Sequence, residues 1–338
     1  MKKMTISKAF FRKNMGLLIG IAVAAVFAGI FSNNNYLLLI GGYICMYSVV
    51  TSALDILFGF CGQISFGHAA FFCVGAYASA CLNRYFQIPV IVTMLLGAVI
   101  AAAVGALIAW PSTNLVYHFL SLATIAFAAI VNQVARVSPG GFTGNAVGFK
   151  TAPIMIFGIN CTGYFEFFIF SFLILFLTIL IKRNLINSRI GRAFIAIREN
   201  GHAANGMGIN VRKYKVIAFA TSAFFTGYAG AMFVHLATYI VPDQFKQTLS
   251  ALFVTMLMFG GTGSLLGPII GAAAIQLLTE LLRRFEDWQM LIYGVLLLLV
   301  IIAFPGGLYG AFRKHFHALL SKWKKNKTQS ESEADSSV

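Results

Sequence analysis

Ten long apolar runs, separated by short polar stretches, dominate the pattern of this chain: about 16–31, 36–57, 62–82, 88–110, 115–135 and 164–181, then 214–238, 248–262, 265–282 and 288–304. A membrane-spanning helix needs about 20 mainly apolar residues, and in lipid only helices and closed barrels satisfy their own backbone. The runs therefore predict an all-α, polytopic transmembrane helical bundle of about 8–10 spans. The count is a range because 62–82 is rich in glycine and 248–262 is short. The first run follows a basic N-terminus, as in a signal peptide, but no small-residue cleavage site follows it, so a retained helix is expected.

Composition agrees with this pattern. Of the 338 residues, 59% are hydrophobic and only 10% charged, against about 25% charged in a soluble domain. Soluble enzymes, coiled coils and disordered proteins are excluded. The five cysteines (Cys45, Cys61, Cys73, Cys81, Cys161) include no C-x-x-C pair. The Cys61, His68, Cys73 spacing fits no standard zinc pattern, so they are expected to pack as small hydrophobes.

The net charge of +15 comes from 25 basic and 10 acidic residues. Nineteen of the basic residues lie in three stretches: the N-terminus (Lys2, Lys3, Lys8, Arg12, Lys13), the segment 182–215 (Lys182, Arg183, Arg189, Arg192, Arg198, Arg212, Lys213, Lys215) and the tail (Arg313, Lys314, Lys322, Lys324, Lys325, Lys327). Each flanks an apolar run, where lysine and arginine mark the cytoplasmic side. A nucleic-acid footprint would interleave aromatics on a polar surface, and none is present. The expected organisation is a cytoplasmic N-terminus at 1–15, a first transmembrane half at 16–181, a cytoplasmic loop at 182–215, a second half at 216–310, and a partly disordered cytoplasmic tail at 311–338. Both termini face the cytoplasm of a bacterial cell membrane in this reading.

Two stretches depart from plain lipid-facing helix: 59–70, with Gly62, Gln63, Ser65, Gly67 and His68, and 260–271, with Gly260, Gly261, Gly263, Ser264, Gly267 and Pro268. Irregular backbone at membrane depth persists only where protein or a water-filled cavity satisfies it, and interrupted segments point to a translocation pathway. The glycines equally serve close helix approach. Gln63, Ser65 and His68 are candidates for lining a pathway, or else for tying helices together. Asp55 and Glu280 are the carboxylates nearest membrane depth; they are either coupling groups or, near helix ends and beside Arg283 and Arg284, simple interfacial partners. Glu166 suits the first turn of its helix.

The loop holds a short amphipathic pattern. Ser188 is a candidate N-cap, Ile190, Phe194 and Ile197 share one helical face, and Gly201 is expected to break the helix before a small-residue turn at 203–208. Such a helix lies on the membrane or docks in a partner's groove.

The pattern Ala203-Ala204-x-x-x-Gly208 resembles the signature of ABC-importer permeases. Gly191-Arg192-Ala193-Phe194-Ile195-Ala196-Ile197-Arg198-Glu199-Asn200 with Met207–Val211, the stretch Gly62–Phe71, Gly140-Gly141-Phe142-Thr143-Gly144, and Gly260-Gly261-x-Gly263-Ser264-x-x-Gly267-Pro268 are similar to the branched-chain amino-acid permeases of the LivM type. The resemblance covers about 40–308. It implies a permease that pairs with a homologous second permease subunit, two ATPase subunits and an extracytoplasmic substrate-binding protein. It makes Gly191, Arg192, Phe194, Ile197, Ala203, Ala204 and Gly208 the ATPase-coupling residues, and Gln63, Ser65, Gly67 and His68 pathway candidates. The chain has no G-x-x-x-x-G-K-[ST] loop, so it is expected to bind no cofactor itself, with ATP held by the partner subunit, and not to be an enzyme. Three departures from the family pattern (no basic residue in 114–118, Leu252 in place of an acid, Gly306 in place of arginine) leave the substrate open between branched-chain amino acids and urea, short amides or other small solutes. The rival class is an ion-coupled secondary carrier using Asp55 or Glu280.

Overall fold

The computed structural model describes residues 34–112, 117–156, 159–160 and 163–283, together with 288, 291–292, 294–295, 298 and 307–310. The expected first run, the basic tail and most of 288–304 lie outside the described residues. Cys161 lies outside them too.

Within them the chain is a helical bundle: α1 (Asn35–Asp55), α2 (His68–Phe86), α3 (Val90–Ser112), α4 (Tyr117–Val137), α5 (Tyr164–Asn187), the short α6 (Arg189–Glu199) and α7 (Gly201–Gly206), then α8 (Val211–Ala237), α9 (Gln247–Gly260) and α10 (Gly267–Leu281). Among the described residues, five helical segments are long and apolar enough to cross a membrane: Asn35–Phe60, Val90–Pro111, Phe119–Val137, Tyr164–Asn187 and Val211–Ala237. The last packs against α2 and α3 and touches α1, while α5 also packs on α1 and α10 joins α9 to it. Small residues let α2 and α8 touch: a Cβ on Gly75 would enter the backbone of Gly227, and one on Gly230 would enter that of Phe72. Around this contact sits an aromatic core in which the Phe72 ring lies 5.6 Å from Phe233, 5.9 Å from Phe245 and 5.7 Å from Phe253.

Several expectations are revised. The run 62–82 is not one helix; the chain is irregular to Gly67 and helical only from His68. The helix expected over 164–181 continues to Asn187, so Lys182 belongs inside it and is fully buried. Lys182 is therefore not part of an exposed basic stretch. Two small antiparallel pairings appear in an otherwise helical chain: Phe149–Lys150 with Tyr239–Ile240, and Met155–Ile156 with Ile159–Asn160. The first follows directly on the end of α8, and so lies at the opposite end of the bundle from α6 and α7.

Candidate functional site

The helix break near Gly62 begins as a π-turn, Ile56–Phe60, that continues α1. Past it, Gly62 takes a left-handed φ of 70°, a conformation that glycine adopts without steric cost. Cys61 N and Gln63 N still donate back to Ile56 O and Leu57 O, and beyond them side chains from elsewhere hold the backbone at Phe66 and Ala69. Phe66 N donates to Thr124 Oγ1 at 3.1 Å, Gln247 Nε2 donates to Phe66 O at 3.1 Å, and Ala69 N donates to Ser250 Oγ at 2.8 Å. Each such bond contributes a net ~1 kcal/mol, and leaving one unmade at membrane depth costs more.

The sequence candidates sit within this stitching. Gln63 and Ser65 are buried. Ser65 Oγ accepts from Gly67 N at 3.3 Å. His68 Nε2 lies 2.8 Å from Ser222 Oγ, which donates to Ala53 O at 2.7 Å, so His68 ties α2 to α8 and α1. Its Nδ1 has no hydrogen-bond partner among the described residues. Cys61 and Cys73 are free and buried, and no cluster able to hold a metal occurs among the described residues.

The second break, 261–266, meets the first. Asp55, at the last turn of α1, accepts from Lys182 Nζ at 2.9 Å and from the backbone N–H of Gly263 at 2.6 Å. Lys182 also donates to Ser264 O at 3.1 Å and faces the Phe60 ring at 5.8 Å. Neither charged side chain is exposed at all. Dehydrating two charges costs several kcal/mol each, and their attraction compensates only when the remaining donors and acceptors are satisfied. Here the glycine-rich loop supplies a backbone donor to Asp55 and a backbone acceptor to Lys182. The loop is held in turn by Ser264 Oγ, which accepts from Gly267 N at 2.9 Å, and by Thr51 Oγ1, which donates to Pro268 O at 3.1 Å. Asp55 is thus a fixed member of an ion pair. Glu280, at the other end of α10, accepts from the Tyr36 hydroxyl and lies 3.4 Å from Arg283.

The α6–α7 pair sits against the same end of the bundle. Ser188 caps α6 by accepting from Ile190 N and Gly191 N. The break comes at Asn200, extended at φ −158°, and Gly201 begins α7 instead of ending α6, because the Asn200 side chain accepts from His202 N and Ala203 N. The apolar face is spent inside the chain: Phe194 (0% exposed) and Ile197 (2%) join Leu57, Phe60, Ala218 and Phe219 in a core of their own. Gly191 is buried, and a Cβ there would enter the backbone of Ile186. Ala204 is buried as well. What the pair presents outward is Arg189, Arg192, Ile195, Arg198, Glu199, Asn200, His202, Ala203, Asn205, Gly206, Met207 and Gly208, with Met207 85% exposed.

Sequence reasoning missed Lys182, Thr124, Ser222, Gln247 and Ser250 as members of this site. A lysine five residues before the end of an apolar helix was the available signal for the first, since such a charge is costly in a membrane without a partner.

Comparison with known proteins agrees with this architecture. Residues 36–301 match the family described as the permease component of branched-chain amino acid transport systems. The chain is 27% identical over 287 residues to the high-affinity branched-chain amino acid transport system permease protein LivM of Escherichia coli (strain K12), covering 78% of this chain and 67% of the relative. The Salmonella typhimurium protein of the same name stands at the same identity and coverage. The chain is 26% identical over 249 residues to the autoinducer 2 import system permease protein LsrC of Salmonella paratyphi B, covering 69% of this chain and 67% of that one. No solved structure matches it. A bundle of five membrane-length helices, two stitched backbone breaks and a match over most of its length place this multi-pass membrane protein in the family of branched-chain amino acid transport permease components.

Proposed function

We propose that this chain is the translocating permease of an ABC importer for branched-chain or other small aliphatic amino acids. A binding protein delivers the substrate, and a separate ATPase subunit supplies the energy. The observation that carries the reading is the α6–α7 pair: its apolar face is anchored in the chain's own core, and an outer face of alternating charge and exposed Ile195 and Met207 is left over. Isolated apolar side chains in a charged surface suit a protein interface. In this reading that end is cytoplasmic, as are both termini, and Arg192, Ala203 and Gly208 face the ATPase. Gly191, Phe194, Ile197 and Ala204 seat the pair on the bundle. Gln63, Ser65, Gly67 and His68 belong to the pathway wall formed with a homologous second permease subunit.

An ion-coupled carrier is disfavoured by the carboxylates. Asp55 is held by Lys182 and a backbone donor, and Glu280 contacts Tyr36 and Arg283, so both carboxylates are engaged in contacts within the chain. The substrate assignment rests on the relatives named for branched-chain amino acids; the autoinducer 2 permeases in the same set make another small solute the second reading. The test is co-purification with the products of neighbouring genes. An ATPase should co-elute, and reconstituted vesicles should take up leucine only with ATP and the binding protein. Uptake driven by an ion gradient alone would refute the reading.

A further inference from the structure

The guanidinium of Arg198, in the last turn of α6, donates to the carbonyl of Gly59. That carbonyl lies in the final turn of the π-turn, where helix carbonyls lose their internal partners. A Cβ on Gly62 would lie 3.1 Å from Arg198 Cγ, and one on Gly263 would lie 3.3 Å from Arg198 Nη1. Arg198 therefore stands where the two backbone breaks meet. Directly behind it, Gly263 N–H is bound to Asp55, Asp55 to Lys182, and Lys182 to Ser264 O. Gly59 packs against this second set, since a Cβ on it would run into Asp55 Oδ1 and Gly263 N, so the Arg198 bond and the Asp55–Lys182 contacts are neighbours where α6, the end of α1, the last quarter of α5 and the 261–266 loop come together.

We propose that Arg198 and the Asp55–Lys182 pair form a single linkage that carries displacement of α6 into both breaks at once. Arg198 is a positioning residue in it. Its contact with Gly59 is the only hydrogen bond among the described contacts that joins the side chain of an α6 residue to a break, so a shift of α6 either drags Gly59 or gives up that bond. The Asp55–Lys182 pair cannot yield gradually, because separating it leaves two charges dehydrated. Arranged in series, the two elements move together or part together, which is the behaviour expected of a two-state transmission element.

This rests on the importer reading, and the experiment separates the two. In the assembled importer, Arg198→Ala and the charge-free pair Asp55→Asn/Lys182→Met are compared with the parent chain, alone and combined. Each is expected to lower uptake about tenfold with the ATPase still co-purifying, and the combination to fall no lower than the worse of the two. Arg198→Lys, which keeps a donor for Gly59, should recover most of the uptake. Multiplying losses in the combination, or unchanged uptake in Arg198→Ala, would overturn the linkage. Amide exchange of the purified chain needs no partner: Arg198→Ala should speed exchange about tenfold in both 59–63 and 261–266 and leave 70–77 unchanged. If no ATPase associates but both segments respond, the importer reading fails and the linkage stands. If exchange rises in the first segment alone, the linkage fails.

Discussion

Lys182 Nζ lies 2.9 Å from Asp55 Oδ2 across 127 residues of sequence, and both side chains are wholly buried. The pair joins α1 to α5 at the level where the glycine-rich loop closes on them, and its stability depends on that closure. Removing one partner leaves an uncompensated charge. We expect Lys182→Met to destabilise the chain by about 3–5 kcal/mol, and Asp55→Asn/Lys182→Met to recover most of that loss. Chemical unfolding of the chain in detergent measures both; a double variant no better than the single one would show that the pair is not the source of the loss.

The two faces of α6–α7 should separate under mutation. Phe194→Ala removes a fully buried ring and should cost about 3–5 kcal/mol of stability. Met207→Ala, at an 85% exposed position, should change stability by less than about 0.5 kcal/mol and instead weaken association with an ATPase subunit. A melting curve and a pull-down, run on both variants, check this. Equal effects of the two on association would contradict the assignment of faces.

His68 and Ser222 share a buried bond at 2.8 Å. Ser222→Ala should cost about 1–3 kcal/mol, because it takes the buried imidazole's hydroxyl partner away. If His68→Ala is already in place, Ser222→Ala should cost little more. Unfolding of the two single variants and the double in detergent tests the coupling.

Close packing of α2 on α8 leaves no room for a larger residue at Gly75, whose Cβ would meet the backbone of Gly227. Gly75→Leu should lower folded yield sharply, since backbone cannot move aside as a flexible side chain would. Gly206→Ala, with open space around its Cβ, is the matched control and should fold as well as the parent chain. Detergent-soluble yield on size-exclusion chromatography separates them.

Much of the bundle was legible in the sequence. The runs at 36–57, 88–110 and 115–135 became helices displaced by only a few residues, and Ser188 caps α6 as its spacing implies. The faces were not legible. On α3, exposed Leu95 and Leu107 and buried Met94 and Ala98 are all apolar, because lipid and protein interior select the same side chains. Periodicity therefore cannot tell inside from outside in such a helix. On α6 the apolar stripe was readable, but whether it served the chain or a partner was not. The short strand pair Phe149–Lys150 with Tyr239–Ile240 was also hidden, since its two halves lie on either side of α5 to α8.

The sequence by itself determined that this chain crosses a membrane many times, that a basic loop with a short helical pair interrupts it, and that two glycine-rich segments break its helices. These are local properties, set by run length, charge and backbone freedom over windows of twenty residues. Only the tertiary structure decided that Lys182 leaves the basic stretch to neutralise Asp55, that Thr124, Gln247 and Ser250 stitch the first break, and that Arg198 touches Gly59. Buried polar groups must be paired in a medium without water, but the partner is chosen by which helices pack together, and in a uniformly apolar chain that choice leaves no local trace.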